Sequence, residues 1–194
     1  MKLVYYPDPI LTQELEDVNI ENPGFDPVEL KEQMVKLMVE KRGLGLSACQ
    51  VGLNYKLFVM GEKEDAAAMI INPEIIDVSE EEVLDYEGCL SFPDIFVQIK
   101  RPADVKAKWY NEKFELQEGT ITGYGARCFL HEYDHLHGVV YKDKTSHLKW
   151  DRALKKKGKI QKQRARLMNY LSMMKQFEAQ QKQKEDTPQT VSEE

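Results

Sequence analysis

Two histidines four residues apart, with a glutamate directly after the first, are the residues most able to do chemistry: His131-Glu132-Tyr133-Asp134-His135. On an α-helix, positions i and i+4 lie one turn apart on one face, so both imidazoles can reach a single cation. Glu132 projects about 100° around the axis from His131, where its carboxylate can touch a metal-bound water without becoming a ligand. A bound metal lowers the pKa of such a water towards ~7, and the glutamate takes and returns its proton. A catalytic centre of this kind needs three protein ligands and one open position.

The third ligand is not in the same helix. In the longer pattern HExxHxxGxxH, Gly138 is in place but Tyr141 stands where the third histidine belongs. His137 lies roughly 200° around the helix from His135 and points away; with His147 it reads as a solvated surface histidine. Cys128 stacks on the ligand face one turn before His131. The metal, however, would sit level with residue 133, about 7.5 Å further along the axis. That is beyond a cysteine's reach, so Cys128 is expected to pack beneath the site. Cys49 and Cys89 remain, and residue chemistry alone does not choose between them.

Several elements can position these groups. Asp26, Pro27 and Glu29 form a helix start with the pattern of a capping box. Leu30, Met34, Leu37 and Met38 then recur on one face, and Gly43 is expected to stop the helix. Leu57–Met60, Met69–Ile71 and Ile95–Ile99 read as strands. Val105, Ala107 and Trp109 alternate with polar neighbours, and Asn111-Glu112-Lys113 turns the chain into Phe114–Leu116 as an antiparallel hairpin. The metal helix is expected from about Tyr124 to Leu136, ending at Gly138. From about Ser146 to Gln180 the pattern is helical again, with a break expected near Gly158 and an apolar stripe of Ile160, Leu167, Leu171 and Met174. Leu148 and Trp150 also look made to pack. The fold class is therefore α+β, with antiparallel or mixed sheets packed around a central metal-binding helix and a C-terminal helical extension. Its expected divisions are a catalytic domain at 1–145, a basic amphipathic extension at 146–180 and a disordered polar tail at 181–194.

Composition narrows the class. The 194 residues carry 33 acidic and 27 basic side chains, a net charge of −6, which argues against bulk nucleic-acid binding. Lys142–Arg166 is the exception, with 11 basic and 2 acidic residues. Apolar residues at 42% suffice for a real core. Residues Met1–Leu11 have no apolar signal region, no stretch is long enough to span a membrane, and three cysteines suit a reducing, cytoplasmic setting better than a disulfide framework.

Three motifs in fixed order give the chain a resemblance to the peptide deformylase family, over roughly Tyr5–Asp143. GxGLAAxQ stands here as Gly43-Leu44-Gly45-Leu46-Ser47-Ala48-Cys49-Gln50, EGCLS as Glu87–Ser91, and HExDH as His131–His135. The resemblance implies that Cys89 joins His131 and His135 around Fe(II), which zinc, nickel or cobalt can replace, and that the iron form is sensitive to oxygen. It implies hydrolysis of the N-formyl group from the initiator methionine of nascent chains. In that reaction Glu132 is the general base and acid, and the Gln50 amide and Leu90 N–H are the oxyanion donors. Leu44 and Gly45 would meet the substrate, with Gly45 small so that a peptide can approach as an added strand. Glu87, Arg101 and Asp134 are candidates for orienting the ligands. Ser47 where the motif has alanine, Cys49, Leu130 and Phe96 depart from the family pattern. A small HExxH metallopeptidase is the alternative activity. By its resemblance to members whose C-terminal helix docks at the ribosome, the basic Lys142–Arg166 segment is a candidate ribosome contact, the alternative being a solvated amphipathic helix packed on the acidic body; no contact with membrane or DNA is expected. An organellar or phage origin is compatible with everything above.

Overall fold

The Asp26 carboxylate accepts hydrogen bonds from the N–H groups of Val28 and Glu29 at 2.9 and 3.1 Å, and so begins α1 (Pro27–Glu40) in the computed structural model, which describes residues 1–185. Its end differs from the expected glycine stop. Arg42 takes the left-handed conformation (φ 60°), while Gly43 N–H bonds back to Met38 and Arg42 N–H to Val39. That is the bonding of a Schellman cap, with arginine rather than Gly43 in the left-handed position.

A five-stranded antiparallel sheet has the order β1-β2-β3-β6-β7: β1 (Gly45–Ser47), β2 (Leu57–Met60), β3 (Ala68–Val78), β6 (Asp104–Tyr110) and β7 (Leu116–Thr122). A separate two-stranded ribbon joins β4 (Glu82–Cys89) to β5 (Phe92–Pro102) through the corner Leu90–Ser91. β2 is buried on both faces because Leu57 and Val59 pack with Met34 and Met38 of α1, while Phe58 packs with Phe129 of α2 (Gly123–Leu136) on the other side. The metal helix α2 therefore lies against the sheet, with the ribbon across from it.

The hairpin of β6 and β7 is present, but its second strand starts at Leu116 and continues to Thr122; Phe114, expected in that strand, sits in the turn with φ 57°. β1 and β4 lie in stretches where no strand was expected. α3 (His147–Glu185) runs through Gly158 without a break, since one glycine in a helix costs only about 1 kcal/mol and nothing crowds its backbone. The polar tail expected from residue 181 is helical as far as Glu185; residues 186–194 lie outside the described residues. A compact unit spans Met1–Asp151 and a second starts at Arg152. The boundary falls beyond residue 145 because the first turn of α3 belongs to the first unit: Trp150 is buried edge-on against Phe92 and Tyr141. Leu148, Leu167 and Leu171 are exposed rather than packed. Among the described residues no helix is long and apolar enough to cross a membrane.

The segment before α1 is tied to the body by a side chain that imitates a strand. Asn72, in the irregular stretch of β3 with φ 46°, accepts from Val18 N–H and donates to Val18 C=O, both at 2.8 Å. Nearby, Leu15 N–H bonds to Leu136 C=O at the end of α2. Asn72→Ala is expected to cost about 2–4 kcal/mol in urea unfolding, from two hydrogen bonds and left-handed backbone strain. Asn72→Gly relieves the strain alone and should fall in between.

Candidate metal centre

Period-two geometry brings the ribbon to the helix. Glu87 and Cys89 are two apart on β4 and share its buried face, and both meet α2. Cys89, His131 and His135 each offer a donor atom, and these atoms lie within 4.8 Å of one another, all three residues buried. Cys89 Sγ is 3.3 Å from His135 Nε2. The Nδ1 of His131 faces Glu87 Oε2 at 3.0 Å, which leaves its Nε2 for a cation. Burial, reinforced by the charges of His131 and Arg101, lowers the pKa of His135 well below the ordinary histidine value and favours the neutral ring, the form that can bind a cation. One thiol and two imidazoles form a donor set suited to borderline divalent metals. The other cysteines stand outside this group. Cys49 is buried with its thiol 4.0 Å from the His135 carbonyl, and Cys128 faces Gly45 beside Glu132.

Around Glu87 the charges balance. Arg101 grips the carboxylate in a fork at 2.9 and 3.0 Å and reaches Asp134 at 2.6 Å, and Arg127 adds a contact to Glu87 at 2.8 Å. Arg127 also donates to the carbonyls of Val83 and Ile99, joining both ribbon strands to α2. Burial raises the pKa of Glu87, but hydrogen bonds from His131 and Arg101 outweigh it and bring the value to about 2. The candidates Glu87, Arg101 and Asp134 thus belong to one network. Arg127, which the sequence reading missed, is its fourth member.

About 100° around the helix from His131, Glu132 leans over Gly45 of β1. A Cβ added at Gly45 would lie in the space of the Glu132 carboxylate and 2.7 Å from its Cγ. The smallness of Gly45 therefore makes room for Glu132, whereas the sequence suggested room for a peptide. Burial raises the pKa of the Glu132 carboxyl, partly offset by His131 and by a hydrogen bond from Ser47. Ser47 N–H donates to Gln50 Oε1 at 2.9 Å, which turns Gln50 Nε2 towards Cys89 Sγ (3.3 Å) and Ser91 Oγ (3.2 Å). Leu90 occupies the corner immediately after Cys89. Leu44 is exposed at the outer edge of the sheet, and Phe96 is exposed with its ring over Gly88. Leu130 contributes its carbonyl, 3.4 Å from Arg101.

A buried thiol and two helix-borne imidazoles, with a carboxylate on the same helix, define a metal-dependent hydrolase centre. The polypeptide deformylase family model matches residues 1–151. The chain is 40% identical over 139 residues to a peptide deformylase from Thermotoga petrophila, covering 72% of this chain and 83% of that one. It superposes on the crystal structure of the Thermotoga maritima peptide deformylase with a TM-score of 0.69, at 38% identity over 75% of this chain and 97% of that one. It superposes on the Synechococcus elongatus enzyme in complex with actinonin with a TM-score of 0.74, at 34% identity over 81% and 86%. The chain belongs to the peptide deformylase family, metal-dependent hydrolases that remove the formyl group from nascent polypeptides. The metallopeptidase alternative gives way to that finding.

Removing Glu87 leaves two guanidiniums buried without their shared counter-charge. Glu87→Ala is expected to destabilise the fold by about 3–5 kcal/mol in urea unfolding at neutral pH, the cost of breaking a buried pair. The pKa of Glu87 is depressed in the folded state. Its contribution is therefore present above the unfolded carboxylate value of about 4.3 and fades as pH falls towards the folded value. The stability gap between wild type and variant should narrow only on acidification through that window.

Proposed function

We propose that Cys89, His131 and His135 hold one divalent cation, Fe(II) with zinc, nickel or cobalt able to replace it, and that Glu132, Gln50 and Leu90 carry deformylation around it. The observation that supports this most is the convergence of three buried donor atoms within 4.8 Å, with Glu132 on the same helix. When bound, the cation supplies Lewis-acid activation of water and of the formyl oxygen. Glu132 takes the proton released from water and hands it to the departing amine nitrogen, so the products are formate and a free α-amino group. The Gln50 Nε2–H and the Leu90 N–H stabilise negative charge as it develops on the formyl oxygen. The Cys89 sulfur accepts a hydrogen bond from Gln50 Nε2.

The substrate is an extended peptide. β1 is the outer strand of the five-stranded sheet, so the edge beside Leu44 and Gly45 offers backbone groups for an added strand. The formylated methionine would then lie beside Cys89 and Glu132. The setting is the cytoplasm, where three free thiols stay reduced. The basic Lys142–Arg166 stretch is the surface we assign to ribosomal RNA. Lys155, Lys156 and Lys159 are exposed there on α3, and a dense run of cations suits phosphates.

Two experiments test these readings. In anaerobically purified protein, Cys89→Ala should lose metal and formate release together, whereas Glu132→Gln should keep its metal and lose about 10²–10⁴ in kcat. Stoichiometric metal in Cys89→Ala would remove that residue from the ligand set. Reversing charge at Lys155, Lys156, Lys157 and Lys159 should leave cleavage of free formyl-peptides unchanged, weaken ribosome binding and flatten its salt dependence. Equal affinity at every salt concentration would sink the ribosome contact.

A further inference from the structure

The family motif has alanine at the position of Ser47, and here the hydroxyl is not idle. Ser47 is fully buried, so its O–H has no access to solvent. It lies 2.7 Å from Glu132 Oε2 and 3.1 Å from the Glu132 carbonyl. A hydroxyl carries a single proton, and the shorter contact is to the carboxylate. Among the described residues no other hydrogen-bond donor reaches that carboxylate. Gly45 and Ser47 are two apart on β1 and so share one face, the face turned to Glu132. The strand thus acts on the glutamate twice. Gly45 leaves the space that the side chain occupies, and Ser47 ties down one of its oxygens.

We propose that Ser47 is a positioning residue for deformylation. By donating to Oε2 it holds the Glu132 carboxylate in one rotation and leaves Oε1 to exchange the proton with water and the leaving amine. A buried glutamate with three side-chain torsions and no donor would sample several orientations, only some of them productive. The assignment rests on the reading of Glu132 as the base. It predicts an effect on the chemical step and none on peptide binding or metal binding, because the serine touches neither. The backbone N–H of residue 47, which orients Gln50, survives substitution, so replacing the side chain isolates the hydroxyl.

The test is formate release by Ser47→Ala, Glu132→Ala and the double variant, each with metal content measured. Ser47→Ala should lose about 10-fold in kcat, in line with a hydrogen bond to a charged group, while KM and metal content match wild type. In the Glu132→Ala background the same change should have no further effect, since the group it positions is gone. A fully active Ser47→Ala beside an inactive Glu132→Ala would overturn this proposal alone. An active Glu132→Ala would overturn the base assignment and this proposal with it. Equal losses in both backgrounds, or a loss of metal in Ser47→Ala, would show a structural role and reject positioning.

Discussion

One buried carboxylate carries the arrangement. Glu87 meets two guanidiniums and an imidazole at once, and those partners come from β5 and α2. An apolar contact between ribbon and helix would tolerate sliding by a fraction of a turn. Three directed polar contacts between them, Glu87 with Arg127 and His131 and Arg101 with Asp134, do not, because each N–H must meet its oxygen in line. Cys89, two residues along the same strand, inherits its place from that constraint, and so does the ring of His131. The charges are paired locally: Arg101 and Arg127 face Glu87, Arg101 also faces Asp134, and Lys144 leans on Asp134 from outside.

The wall that β1 forms is held by different means. β1 has only three residues, all buried, and it works by shape and one hydroxyl rather than by charge. A charged wall on the ligand side and an apolar wall on the glutamate side leave the Glu132 carboxyl less stabilised as an anion than Glu87. The opposite pKa shifts of these two acids, Glu87 down and Glu132 up, follow from that difference.

Much of this was legible in the residues. The cap at Asp26, the run Leu57–Met60 and the i, i+4 histidines depend on local rules, and the structure places all of them as read. β4 was hidden because its alternation is inverted. Its buried face carries Glu87, while Leu84 and Tyr86 are exposed, so hydrophobic patterning points to the wrong side. Arg127 escaped for a related reason: an arginine in a helix reads as solvated unless its partners on another strand are known. Ser47 stood out only as a departure from the motif, because its partner lies 85 positions away. Gly43 failed as the helix stop since Arg42 already supplies the left-handed turn. Local chemistry is visible in the chain, and long-range pairing of polar groups is not.

The two-residue spacing on β1 and β4 also sets which lengths the gene can vary. Gly45 with Ser47, and Glu87 with Cys89, reach α2 only because each pair keeps the same parity along its strand. Adding or deleting one codon between the members of either pair turns one of them to the far face. Adding one in the turn at Asn111–Glu115 or in the stretch Gly61–Ala67 disturbs neither pair. Length variation among descendants of this chain should therefore collect in those connections and stay out of these two segments.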